Sequence, residues 1–263
     1  MDARVVTSLT NPAVKAVRAL HMRKAREETS QFLAEGLKLI GEAFESGRVP
    51  QILLYGAEAR SLPILQRIVR ATQDAGGDVI EVSRDILEKV SRRDNPQTVI
   101  AVFPQLFAEL DALQPQTAQC WVALQAVRDP GNLGTIVRTA DAAGCGGVIL
   151  VGDCCDPYSV EAVRATMGSI FAVPLFRASV AAFIDWRAGW PGSVVGTLLT
   201  ATTDYRRAGY RRPTLIMMGN EQAGLPQELA AVCDVAVKIP MRGRADSLNL
   251  AVATGIMIYA ATD

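Results

Sequence analysis

A chain of 263 residues, 49% of them apolar, with 27 basic against 27 acidic side chains, is too hydrophobic to be disordered and long enough for two domains. Its single histidine, His21, leaves no multi-histidine metal site and nearly excludes a histidine-based triad, and its five cysteines lack the paired spacing of a zinc ligand set, so no metal is expected. No basic and apolar leader opens the chain and no run nears the ~18 apolar residues of a membrane span, so a cytoplasmic protein off the membrane is expected.

Asn11-Pro12 reads as a helix start, a cap followed by proline at the first helical position, and Val14, Val17, Arg18 and Leu20 continue that helix. The segment before Glu27 is basic, with Lys15, Arg18, Arg23, Lys24 and Arg26. The pattern then alternates: a strand over 31–34, an amphipathic helix through Leu37, Ile40, Ala43 and Phe44, a strand over 52–55, and a helix over 64–69. A strand over 79–82, a Ser83-capped helix to Val90 and a strand over 98–103 complete a small α/β domain, residues 1–104. Residues 105–119, with Pro115 and several glutamines just after Pro104, read as a linker. From Cys120 on, stronger apolar runs over 121–124, 148–151, 173–176, 194–199, 215–218 and 235–239 alternate with helical segments. They predict a mainly parallel sheet with helices on both faces in a second domain, 120–263. Basic pairs recur at Arg92-Arg93, Arg206-Arg207, Arg211-Arg212 and Arg242/Arg244. Each alone reads as solvated surface, but together they favour phosphate contact on a chain of zero formal net charge.

Three polar stretches follow apolar strands, where open parallel sheets place their ligands. In D-P-G-N-L-G-T-I-V-R-T-A-D-A-A-G (129–144), Asn132 and Arg138 lie six apart on one helix. They either address a common site, or Asn132 caps the helix and Arg138 pairs with Asp141. In L-I-M-M-G-N-E-Q-A-G-L-P (215–226), Gly219 permits close backbone approach and Asn220 and Glu221 supply polar groups. In the third, I-P-M-R-G-R-A-D-S-L-N-L-A-V-A-T-G-I-M-I-Y (239–259), Pro240 ends a strand. Asp246 or Ser247 is expected to cap a helix of small and apolar residues suited to an interior or a dimer interface. No G-x-G-x-x-G follows a strand and no Walker loop occurs, which argues against a nucleotide-binding dehydrogenase.

N-L-G-T-I-V-R-T-A-D-A-A-G, G-N-E-Q-A-G-L and I-P-M…S-L-N-L-A-V-A-T-G, in that order, closely resemble the three motifs of the SpoU (TrmH-like) branch of the SPOUT RNA methyltransferases. The resemblance covers about 121–259, and R-A-T-M-G-S-I-F (164–171) is similar to a further stretch common in these enzymes. F-L-A-E-G-L-K-L-I (32–40) resembles the L30e-like RNA-binding domain that many members carry first.

The resemblance implies a parallel sheet whose C-terminal segment forms a trefoil knot, and a homodimer whose active site borrows residues from the partner. It also implies S-adenosylmethionine held in the knot loops and methyl transfer to a ribose 2′-hydroxyl of RNA. Ribosomal RNA is favoured as substrate over transfer RNA. Gly219, Ile239 and Leu248 match cofactor-contacting positions, with Thr197, Leu198 and Met241 as further candidates for that pocket. Asn132, Arg138, Glu221, Ser247 and Asn249 match the polar catalytic positions. Arg18, Arg23, Lys24 and Arg26 are the candidates for RNA-backbone contact. The rival from another class is a catalytically silent, knotted RNA-binding or ribosome-assembly protein.

Overall fold

The computed structural model describes residues 4–263, which form two compact units. The first runs to Gln105 and takes in Tyr158–Phe171; the second comprises Leu106–Pro157 and Ala172–Asp263.

In the first unit, β1 (Arg4–Val6), β2 (Gln31–Glu35), β3 (Ile52–Tyr55), β4 (Asp78–Val82) and β5 (Val99–Pro104) make a mixed sheet in the order β1-β4-β3-β5-β2. The helix Pro12–Ala19 begins as its sequence dictates: the Asn11 side chain accepts from the Ala13 amide at 2.9 Å, and proline takes the first helical position. Val14 and Val17 then bury their side chains in a core with Leu33, Leu54, Ile86, Val90 and Ile100. The lone histidine is structural. Its Nε2 donates to the Val90 carbonyl at 2.6 Å, and burial holds its pKa below the ordinary imidazole value.

Residues 158–171, expected inside the second domain, belong to the first unit. The reason is aromatic and ionic. β2 is an edge strand, and its Phe32 ring lies 4.7 Å from Tyr158 and 5.7 Å from Phe171, with Phe103 completing the cluster. The helix Val160–Thr166 adds Arg164, which ion-pairs with the buried carboxylate of Glu35.

The second unit contains β6 (Phe107–Ala108), β7 (Cys120–Gln125), β8 (Val148–Val151), β9 (Leu175–Ala178), β10 (Val194–Thr197), β11 (Thr203–Asp204), β12 (Thr214–Met218) and β13 (Val235–Lys238). Every pairing is parallel, in the order β11-β13-β10-β12-β7-β8-β9-β6. The central strands are buried along their length, as continuous apolar runs require when both faces are covered. The expected linker is part of this unit: β6 pairs with β9, and Leu113 is buried in the core with Leu110 and Ala118 against it. Gly146 and Gly147 precede β8; a Cβ at Gly146 would collide with the Trp121 ring, and one at Gly147 with the Pro174 carbonyl and the Phe176 ring. Their role is packing, in keeping with the missing phosphate loop.

The C-terminal helix spans Leu250–Thr262 and its cap is Asn249, not Asp246 or Ser247. The Asn249 Oδ1 accepts from the amides of Ala251 (2.9 Å) and Val252 (3.2 Å), so Ser247 and Leu248 stay in the preceding loop. This helix packs against the helix Pro130–Ala142. Among the described residues, no helix is long and apolar enough to cross a membrane.

The Glu35 side chain is 2% exposed, one of its oxygens has no hydrogen-bond partner, and Arg164 is 30% exposed. Arg164→Ala strands that carboxylate and is expected to lower stability by about 2–3 kcal/mol, under the ~3–5 of a fully buried pair because Arg164 is partly hydrated. Urea denaturation measures the loss; Glu35→Gln added to Arg164→Ala should restore part of it, and a loss below ~0.5 kcal/mol would contradict the pairing's importance.

Candidate functional site

β13, β10, β12 and β7 are neighbours in a parallel sheet, so the residues that follow them emerge side by side. There they enclose a cavity of about 680 Å³, a size suited to a small organic ligand. Thr197 and Leu198 from the end of β10, Gly219 after β12, and Ile239, Met241 and Leu248 after β13 all line it. The six positions expected to meet a cofactor thus line one cavity. Leu225 and Leu250 extend its apolar part. Nothing in the sequence singled these two out, because a leucine after a glycine or inside an apolar helix carries no signal of its own.

Gly219 is required by a close backbone approach. A Cβ there would run into the carbonyl carbon of Gly224 and the nitrogen of Leu225. The two strands of this tight loop are joined by reciprocal amide-to-carbonyl bonds between Asn220 and Gly224, at 3.1 and 3.0 Å. Between the adjacent ends of β10 and β12 the Thr197 hydroxyl donates to the Met218 sulfur at 3.2 Å.

Four of the five expected polar residues, Asn132, Glu221, Ser247 and Asn249, also line the cavity. They are wired together. Asn249 Nδ2 donates to Asn132 Oδ1 at 2.8 Å, and Asn132 Nδ2 reaches Glu221 at 3.5 Å, the limit of a hydrogen bond. The Glu221 carboxylate accepts the backbone amides of Arg128 (3.2 Å) and Asp129 (3.3 Å), and the Asp129 side chain caps the helix Pro130–Ala142 through the Asn132 amide at 2.6 Å. Asn132 therefore acts through its side chain as a bridge, while the cap belongs to Asp129. Ser247 donates to Asp246 at 3.2 Å.

Arg138 is not in the cavity wall. Six residues turn a helix through about 600°, so Asn132 and Arg138 leave the axis roughly 120° apart. Arg138 is exposed, with no ion pair or hydrogen bond to another described residue. It lies instead on the side of its helix near Thr135 and Thr139, which border an apolar groove of about 480 Å³ with Val252, Gly255 and Tyr259.

In the first unit, Arg18, Arg23 and Lys24 are exposed, Arg23 and Lys24 pairing loosely with Glu27 and Glu28 one turn on. Arg26 is not a surface residue. It is 4% exposed and its guanidinium donates to the Leu20 carbonyl at 2.7 Å, so, against expectation, it is not available to an RNA backbone. Cys155 lies near Asp129 and Glu221, and burial first, then neighbouring groups, push its thiol up to about 12, which disfavours the thiolate.

The sequence matches the SpoU rRNA Methylase family over residues 119–259 and the MRM3-like substrate binding domain over residues 11–101. The chain belongs to the SpoU family. An AdoMet-bound rRNA methyltransferase from Sinorhizobium meliloti is 49% identical, covering 98% of this chain and 97% of that one, with a TM-score of 0.92. The Bacillus subtilis 23S rRNA (guanosine(2553)-2'-O)-methyltransferase RlmP is 31% identical over 97% of each chain. A Streptomyces viridochromogenes 23S rRNA (uridine(2479)-2'-O)-methyltransferase is 32% identical over 98% of this chain and 92% of that one.

The cavity fits the SpoU cofactor. Its apolar side chains and glycine-lined loop suit the flat faces and edge of adenine, and its lining carries one charge of each sign, Glu221 and Lys238. Gly219→Ala forces the 219–225 loop outward and is expected to weaken S-adenosylmethionine binding at least about tenfold by calorimetry. Unchanged affinity would show that the loop does not form the binding wall.

Proposed function

We propose that this chain methylates a ribose 2′-hydroxyl of 23S ribosomal RNA, using S-adenosylmethionine as donor, and that it works in the cytoplasm as a homodimer with a knotted C-terminal segment. The observation that carries the reading is the cavity itself, in which residues of all three SpoU motifs are joined by one chain of hydrogen bonds.

Bound in the cavity, the cofactor supplies a methyl group already activated by its sulfonium. The protein's task is alignment and proton management. Glu221 is committed to backbone amides and Asn132, and Asn249 to the helix start, so these groups set geometry and are not nucleophiles. The new bond joins the 2′-oxygen to the methyl carbon as the carbon–sulfur bond breaks, and the hydroxyl proton leaves to solvent or a neighbouring phosphate oxygen. Arg138 is a poor base because a guanidinium pKa lies above ~12. Its role in the proposal is to hold the adjoining phosphate and stabilise charge developing on the 2′-oxygen.

Arg138 stands beside the apolar groove rather than in its own cavity wall, which supports a partner chain on that groove. Val252 and Tyr259, 53% and 50% exposed, are the residues such a partner would cover. Arg138 would then serve the partner's cavity. Exposed Arg18, Arg23 and Lys24 are proposed to contact the RNA backbone.

The test is transfer of labelled methyl to total RNA from a strain lacking the gene, followed by mapping of the label, with sedimentation of the same enzyme. The expected result is one 2′-O-methylated nucleotide in 23S rRNA and a particle of two chains. Arg138→Ala should fall at least about a hundredfold and Arg138→Lys at least about tenfold, since an ammonium lacks the guanidinium fork. No label despite cofactor binding would overturn the catalytic reading, and label confined to tRNA would overturn the substrate.

A further inference from the structure

Between the cavity loop and the helix that carries Asn132 and Arg138 lies a short turn, Ala126 to Asp129. Ala126 has φ 46°, a left-handed backbone that a non-glycine residue rarely adopts. Something must hold it there. Its amide donates to the Val151 carbonyl at 3.0 Å, and its own carbonyl accepts from Asn220 Nδ2 at 2.7 Å.

Asn220 is used to capacity. Its Oδ1 accepts the amides of Gln222 (2.9 Å) and Ala223 (3.0 Å), which shapes the loop of the cofactor cavity. Its Nδ2 faces two oxygens, the Ala126 carbonyl and Glu221 Oε2 at 3.4 Å. The orientation of the amide follows from these partners. Aspartate has no donor for Ala126 and would set a second carboxylate against Glu221; serine is too short to span both sides.

We propose that Asn220 is a positioning residue for methyl transfer. It locks the strained turn at Ala126, so that the cavity loop dictates where the next helix begins and hence where Asn132 and Arg138 stand. Residues 220 and 221 grip the same turn at adjacent points, Asn220 by the carbonyl of Ala126 and Glu221 by the amides of Arg128 and Asp129. A shift in one is passed to the other. This assignment rests on the methyltransferase reading, whose own failure would appear as an inactive wild type.

The experiment measures kcat and the S-adenosylmethionine Kd of wild type, Asn220→Asp, and Asn220→Asp combined with Ala126→Gly. Asn220→Asp keeps the acceptor that shapes the loop, so Kd should change less than about threefold while kcat falls at least about tenfold. Glycine adopts φ 46° without the lock, so adding Ala126→Gly should recover at least about threefold in kcat with no change in Kd. A role only in general stability would lower the fraction of cofactor-binding protein and leave turnover per bound site unchanged. If Asn220→Asp does not fold, Asn220→Ser with and without Ala126→Gly gives the same readout. Wild-type kcat in the Asn220 variant, a parallel loss of kcat and affinity, or no recovery from Ala126→Gly would each overturn the proposal.

Discussion

The second unit depends on what one amide does at Asn249. Its oxygen closes the first turn of the C-terminal helix, and its nitrogen donates at 2.8 Å to Asn132 on the neighbouring helix. A cap of this kind contributes about 1 kcal/mol. The same side chain also fixes the separation of two helix starts, and through Asn132 it reaches the carboxylate that holds the Arg128–Asp129 turn. Three stretches far apart in sequence thereby become one polar rim on a cavity that is otherwise largely apolar. A methyl-transfer site needs this division: apolar walls and backbone for the donor, a fixed polar rim for the acceptor.

The all-parallel sheet makes the arrangement possible. Every strand delivers its following loop to the same edge, and β13 lies beside β10, with β12 on the far side of β10, so the loops after all three strands line one cavity. The first unit is built by different means, a mixed sheet whose edge strand β2 is covered by residues 158–171 returning from much later in the chain. A segment that family comparison assigns to the methylase region is thus structural property of the substrate-binding unit.

Much of this was legible in the sequence. The strands over 52–55 and 148–151 lie where the apolar runs put them, and Asn11-Pro12 starts a helix with the expected side-chain bond. These are local patterns, set by periodicity and cap chemistry. The three polar stretches and the glycine at 219 do meet at one cavity, which motif resemblance implied and periodicity alone did not. Long-range choices were hidden. Arg26 looks like its basic neighbours, and only the packed helix shows that it serves the Leu20 carbonyl. Ser247 and Asn249 are equally good caps on chemistry, and the bond to Asn132 favours the latter. The offset of Arg138 from Asn132 was readable from the helical angle, but its consequence depends on which face the groove occupies. Residues 158–171 gave no sign of joining the first unit, because a buried pair such as Glu35 and Arg164 has no local signature.

The most direct test of the rim as a single unit is a double-mutant cycle on Asn132→Ala and Asn249→Ala, read as kcat/KM for methyl transfer at saturating donor. Because each side chain acts through the other, the two losses should overlap, with a coupling of about 1–2 kcal/mol. Losses that add to within ~0.3 kcal/mol would mean that the two asparagines act independently, and the hydrogen-bonded rim would then be no part of how the site works.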